Sequence, residues 1–386
     1  MALVMLGQTD MAISRIGLGT WAFGGSEGGW PHGWGSQDEE SSTATIQAAI
    51  EAGINWIDTA AVYGRGQAER VIGRALRAIP EADRPYVFTK AGRQWQEDDL
   101  SAPLRSVLTS ATIRSDVEGS LRRLGTERLD LLQLHWPATD GTPVEEYWSV
   151  LADLHAEGKI RAAGLSNHWV AQLEAAQAVA QVDSVQLPLS LIKPAAAGTE
   201  ARWCLEHGSG FLAYSPLQSG LLSGHMSRER VAQLPADDWR RAGAEFTGAR
   251  LEANLRAGER LARAAAERGV TPSTLAIAWV LACPGVTGAI VGARRPGHLR
   301  EWLPALDYQL ASDEAHQLAQ QEAATADGAG ALWRAGQARL SMGPRGWRRP
   351  ARRSADWACP ARTRPSCRPQ PPASPTRASG ASRFPP

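Results

Sequence analysis

From Ile16 to about Ala326 one pattern recurs eight times: a short, nearly unbroken apolar run, then a stretch whose apolar residues return at helical spacing. The runs cover 16–20, 55–58, 86–90, 129–135, 160–166, 184–187, 210–215 and 288–292. Helical spacing predicts helices over 39–52, 68–78, 113–124, 144–157, 169–180, 200–206, 250–267, 272–281, 296–303 and from Ser312 to near Ala326. Thr142, Pro143 and Glu145 read as a capping box, and Thr271 and Ser312 as caps. Runs apolar on both faces suit parallel strands with helices on one side and a packed interior on the other. Eight strands, each followed by a helix, predict the α/β class and a single-domain (β/α)8 TIM barrel over residues 1–327. An open doubly wound sheet is the alternative, and it lacks a phosphate loop after its first strand. Gly17 to Ala22, GLGTWA, matches a dinucleotide fingerprint on paper, with acids at Asp38 and Glu39. That fingerprint must open a helix, whereas here FGGSEGGWP follows, which no helix tolerates. Before the first strand, the apolar runs around Gly7 to Asp10 predict a small hairpin.

Charge divides the chain. Its 41 basic and 40 acidic residues leave a net +1, which argues for neither nucleic acid nor an anionic membrane as partner. Residues 328–386, however, hold twelve arginines, no lysine and one acid, Asp356, so this segment carries +11 and the remainder −10. Rich in proline, alanine and serine and poor in aliphatic residues, it cannot bury enough surface to offset its ordering entropy, and we read it as a disordered tail. The four cysteines, Cys204, Cys283, Cys359 and Cys367, form no CxxC pair and predict neither disulfides nor a metal site. The N-terminus makes a poor signal peptide and no run approaches a membrane span, so the expected location is cytoplasmic.

In a barrel of this kind the C-terminal strand ends share one mouth, where chemistry concentrates. Those ends are Asp58, Lys90, His135, Ser166 with Asn167, Gln186, Tyr214 with Ser215, and Gly292 with Ala293 and Arg294. Each has an ordinary explanation alone: a lysine snorkels, an aspartate caps a helix, a buried histidine is simply satisfied. Polar or ionisable groups ending five successive apolar runs are not explained by packing, and they mark a candidate active site. Tyr63, five residues after Asp58 in a glycine-bounded loop, joins them.

At this point the residues resemble the aldo-keto reductase superfamily, its bacterial and potassium-channel-β-like branch in particular. GINWIDTAAVYG, VFTK and LDLLQLHWP look like that family's three catalytic segments in order, and GLSN, VQ, AYSPLQSGLLSG and IVGARRPGHLRE resemble its cofactor-binding segments. The resemblance spans Leu6 to Ala326 and implies a reductase of aldehydes or ketones using NADPH. Tyr63 would be the general acid, Lys90 would favour its phenolate, Asp58 would hold Lys90, and His135 would orient the substrate oxygen. Cofactor contacts would come from Gly19, Thr20, Trp21, Asp58, Ser166, Asn167, Gln186, Tyr214, Ser215, Leu217, Gly292, Arg294, His298 and Glu301. Tyr214 would stack on the nicotinamide, with Ser166, Asn167 and Gln186 on its carboxamide and Ser215 and Leu217 at the pyrophosphate. Trp21 and Trp136, with Tyr63 and His135, would line a cleft for a small carbonyl substrate. The guanidinium fork of Arg294 with its neighbour Arg295 suits a 2′-phosphate, hence NADPH/NADP+ over NADH. The position after Glu301, usually asparagine in the family, is Trp302. The same branch implies two other readings: a redox-sensing, channel-subunit-like protein that binds NADPH with little turnover, and a sugar or inositol dehydrogenase working oxidatively.

Overall fold

The computed structural model describes residues 2–26 and 29–323. Eight parallel strands close into a barrel in sequence order: β1 (Ile16–Gly19), β2 (Trp56–Asp58), β3 (Tyr86–Ala91), β4 (Leu129–Leu134), β5 (Ile160–Ser166), β6 (Ser184–Pro188), β7 (Gly210–Tyr214) and β8 (Val286–Gly292). Strand β8 returns to β1 through the pairs Ala289–Ile16 to Gly292–Gly19, so the alternative open sheet is excluded. The tail predicted for 328–386 lies outside the described residues. Among the described residues no helix is long and apolar enough to cross a membrane.

Strand side chains alternate between the barrel interior and the helix layer. Inside, Trp56, Phe88, Leu131, Ala162, Leu212 and Ile290 form an apolar floor, closed beneath by Leu6, Met11 and Ile13 of the N-terminal hairpin, whose strands are Leu3–Met5 and Ala12–Ser14. Trp56 fits because β1 offers no side chain at Gly17: a Cβ there would fall 2.3 Å from the indole. The Trp56 Nε1 donates to Ser14 O at 2.8 Å, tying the hairpin to the barrel. Two residues further along β2, β3 and β4 the interior turns polar, and β6 adds a fourth such group, with Asp58, Lys90, Gln133 and Gln186 all buried. Floor and polar layer are consecutive layers of one barrel, and only the upper one faces the mouth.

The helices begin where short polar side chains can cap them. Asp38 accepts from Ser41 N at 2.7 Å at the start of Glu39–Glu51, and Thr271 accepts from Thr274 N at 3.0 Å at the start of Pro272–Ala282. The capping box expected at Thr142 does not form: Pro143 occupies the cap, while the Thr142 hydroxyl and N–H both donate to Asp140. A carboxylate two residues back outcompetes the helix end for those donors. Ser312 is the first helical residue, one place inside the position expected of a cap. The stretch predicted as helix 296–303 is split into Pro296–Leu299 and a 3-10 turn, Leu303–Leu306, because Pro304 has no N–H to continue the ladder. The insertion after β7 carries a helix at Arg228–Ala232 and 3-10 turns at Trp239–Ala242 and Ala244–Phe246. A short antiparallel pair, Arg93–Gln94 with Arg105–Ser106, follows β3 and was not visible as a period-two pattern.

Candidate active site

Strands β2 and β3 set Asp58 and Lys90 side by side, 3% and 1% exposed, with Lys90 Nζ donating to Asp58 Oδ1 at 2.6 Å. The same ammonium donates to Thr59 O at 2.9 Å and to the Tyr63 hydroxyl at 3.4 Å. An ammonium has three protons and accepts nothing, so these bonds use its whole capacity. The Tyr63 oxygen is therefore an acceptor toward Lys90, and its own proton is not used in that contact. His135, just past β4, sets its ring nearly edge-on to Tyr63, with centroids 5.8 Å apart.

Burial governs the charges. It draws both Asp58 and Lys90 toward their neutral forms, and their mutual attraction, their short contact and a second donor on Asp58 oppose that pull. Tyr63 is pushed well above its ordinary value of 10.0, first by burial and then by the Asp58 charge. The sequence suggested the reverse, a phenolate favoured by Lys90; that charge is already answered by Asp58, and desolvation prevails. His135 is held well below 6.5 by burial and by the charges of Lys90 and Arg93, so its ring is neutral. Its Nδ1 is buried with no partner. A buried lone pair costs less than an orphaned N–H, so we place the proton on Nε2.

Around this centre, β5 and β6 contribute Ser166, Asn167 and Gln186. Asn167 sits at φ 62°, a left-handed conformation that asparagine tolerates, and both ends of its amide are engaged: Nδ2 donates to His135 O and Ser166 Oγ, and Oδ1 accepts from the Tyr214 hydroxyl at 2.8 Å. Gln186 Nε2 donates to Asp58 Oδ2 at 2.8 Å and to Gln133 Oε1 at 2.7 Å. What remains for a ligand is the Ser166 hydroxyl proton as donor and Gln186 Oε1 as acceptor, the complement of a primary carboxamide. Thr20 ties the end of β1 to β2 by donating from both N and Oγ1 to Asp58 O, and a side chain at Gly19 would meet Ile290 at 2.8 Å. Ser215, at φ 55°, and the half-buried Leu217 open the turn after β7, while Gly292 lies exposed at the end of β8.

The loops over the mouth carry an aromatic wall that the sequence reading named only in part. Trp21 stacks on Tyr63 at 6.2 Å and on Trp239 at 5.4 Å, and meets Trp34 edge-on at 5.5 Å. Trp34 and Trp239 come from the loops following β1 and β7; Trp34 stands in a glycine-rich stretch, GGWPHGWG, whereas nothing in LPADDWRRAG marks Trp239. Trp136 is 45% exposed and lies 5.9 Å from the Arg93 guanidinium.

Arg294 departs from expectation. Its guanidinium donates to Gln37 Oε1 at 2.8 Å, to Trp34 O at 2.9 Å and to Ser36 O, fastening the loop after β1 to the end of β8. Three carbonyl oxygens within reach hold the fork that a phosphate was expected to occupy. Arg295 is exposed and bonds His298 Nε2 at 3.0 Å, and Glu301 lies 3.5 Å from His225. Trp302 is buried, so that position serves the core.

Comparison with known proteins agrees with this fold. Residues 15–323 match the Aldo/keto reductase family. The chain is 35% identical over 310 residues to the aldo-keto reductase YhdN of Bacillus subtilis, covering 80% of this chain and 90% of that one. It is 32% identical over 323 residues to an NADH-specific methylglyoxal reductase of Escherichia coli, covering 81% and 95%. The solved glycerol dehydrogenase of Gluconobacter oxydans superimposes with a TM-score of 0.74 at 36% identity, covering 83% and 95%.

Proposed function

The chain belongs to the aldo/keto reductase family and is an oxidoreductase, and from that premise we propose that residues 1–327 reduce small aldehydes or ketones to alcohols with NADPH, in the cytoplasm and without nucleic-acid or membrane partners. The observation that carries the reading is the Lys90 ammonium, whose three bonds to Asp58, Thr59 and Tyr63 leave the Tyr63 proton outside that contact. When bound, the nicotinamide supplies a hydride to the carbonyl carbon. Tyr63 would give its proton to the carbonyl oxygen, the Lys90 hydrogen bond would hold the Tyr63 oxygen in place, and Asp58 holds Lys90. His135 donates from Nε2 to the same oxygen and orients it. Ser166 and Gln186, one donor and one acceptor, would hold the carboxamide and so choose the face that delivers hydride, and Tyr214, kept in place by Asn167, would lie against the ring. Trp21, Trp34 and Trp239 exclude water over the reacting atoms and offer an apolar wall to the body of the substrate. Arg295 is an exposed cation that would stand at the adenosine end, and it supports NADPH. NADH is the second reading, favoured by the engagement of Arg294 with the 34–37 loop. The test is Tyr63→Phe: carbonyl reduction should fall by at least about a hundredfold while NADPH binds with unchanged affinity, and turnover within tenfold of wild type contradicts the mechanism.

A further inference from the structure

Gln133 is the one member of the buried polar layer with no assigned role. It is 0% exposed on β4, between Lys90 of β3 and Gly164 of β5 in register, two residues beyond the apolar Leu131 of the floor. A buried amide is costly unless both its ends are bonded, and here both are: Nε2 donates to Ser184 Oγ at 3.0 Å and Oε1 accepts from Gln186 Nε2 at 2.7 Å. Room for this arrangement is built in, because a Cβ on Gly164 would stand 2.2 Å from Ser184 Oγ and 3.0 Å from Gln133 Cγ.

The orientation of the whole chain of amides follows from one charge. Asp58 Oδ2 accepts and cannot donate, so the Gln186 nitrogen faces it at 2.8 Å. The second Gln186 N–H then requires an acceptor, which turns Gln133 Oε1 toward it and Gln133 Nε2 toward Ser184. One hydrogen bond to Asp58 would leave the Gln186 amide free to pivot about that contact. Two bonds, in different directions, define its plane.

We propose that Gln133 is a positioning residue: by anchoring the second N–H of Gln186 it fixes that amide's plane, so that Gln186 Oε1 faces the mouth beside the Ser166 hydroxyl and the pair selects a carboxamide. The assignment rests on the nicotinamide reading above, and it makes the effect of Gln133 specific to the nicotinamide end of the cofactor, which Gln133 does not touch.

The test compares NADP+ with 2′-phospho-ADP-ribose, which lacks the nicotinamide, by calorimetric titration. Gln133→Leu should raise the Kd for NADP+ about tenfold and leave that for 2′-phospho-ADP-ribose within twofold. Gln133→Glu keeps an acceptor for Gln186 and should return the Kd for NADP+ to within about threefold of wild type. Ser184→Ala, a smaller change that frees Gln133 Nε2, should give a weaker loss with the same selectivity, and it serves if the leucine variant does not fold. Equal weakening of both ligands, or no change for NADP+ in either folded variant, overturns the assignment. A wild-type protein that binds neither nucleotide sinks the cofactor reading instead.

Discussion

Lys90→Met removes an ammonium and keeps the volume of its side chain, so it isolates the charge in the buried layer. In the wild type, Asp58 accepts from Lys90 and Gln186; in the variant only Gln186 remains. A carboxylate left uncompensated at 3% exposure should cost roughly 3–5 kcal/mol. Asp58 can escape the penalty by binding a proton. Burial already raises its pKa, and the charge of Lys90 is the largest influence lowering it, so the variant raises it further. A carboxyl whose folded pKa lies above its unfolded value destabilises the fold at high pH. The deficit is absent below the unfolded pKa of about 3.9, grows as pH rises to the folded pKa, and is constant above it. Urea denaturation should therefore show the largest gap between variant and wild type near pH 7.5, shrinking as pH approaches 4. Adding Asp58→Asn should recover at least about half of the loss at pH 7.5, since the orphaned charge is gone. A gap below about 1 kcal/mol at pH 7.5, a gap independent of pH, or a double variant no more stable than Lys90→Met would each refute the reasoning.

Other expectations follow from the same geometry. Burial pushes His168 down to about 4, with Tyr147 OH 2.9 Å from one ring nitrogen and Ser166 O 2.8 Å from the other. Between that value and the unfolded value of about 6.5 the unfolded chain binds the extra proton, so the stability this histidine contributes is complete above about 6.5 and is lost as pH falls, by up to about 3 kcal/mol. His168→Gln should flatten this part of a plot of urea midpoint against pH, and an unchanged slope contradicts it. Arg295→Ala should weaken NADPH about tenfold and spare NADH, whereas Arg294→Ala, by freeing the 34–37 loop, should weaken both alike; fluorescence titration giving the opposite pattern overturns the division of labour. Removing residues 328–386 should leave kcat/KM unchanged and Tm within roughly 1 °C, and a fall of several degrees would place the tail against the barrel.

The order of strands and helices was legible in the chain because their periods are local: a run such as VFTK declares a buried strand by itself, and Thr271 declares a helix start. Closing eight such units into a barrel then brings Asp58, Lys90, His135 and Gln186 to one mouth with no further information, since parallel strands place their C-terminal ends together. The cap at Thr142 misled because its competitor, Asp140, lies inside a loop whose path no period describes. What only the tertiary structure decided depends on partners far apart in the chain. Trp21 reaches Trp239, and Arg294 reaches Trp34, across loops that follow opposite ends of the strand sequence. Gln133 was hidden for a related reason. In LDLLQL its amide reads as one of two polar residues in a largely apolar strand, and the carboxylate that fixes its orientation lies on β2, two strands away, acting through Gln186 on β6. Hydrogen-bond direction is passed from atom to atom in space, and sequence spacing carries no trace of it.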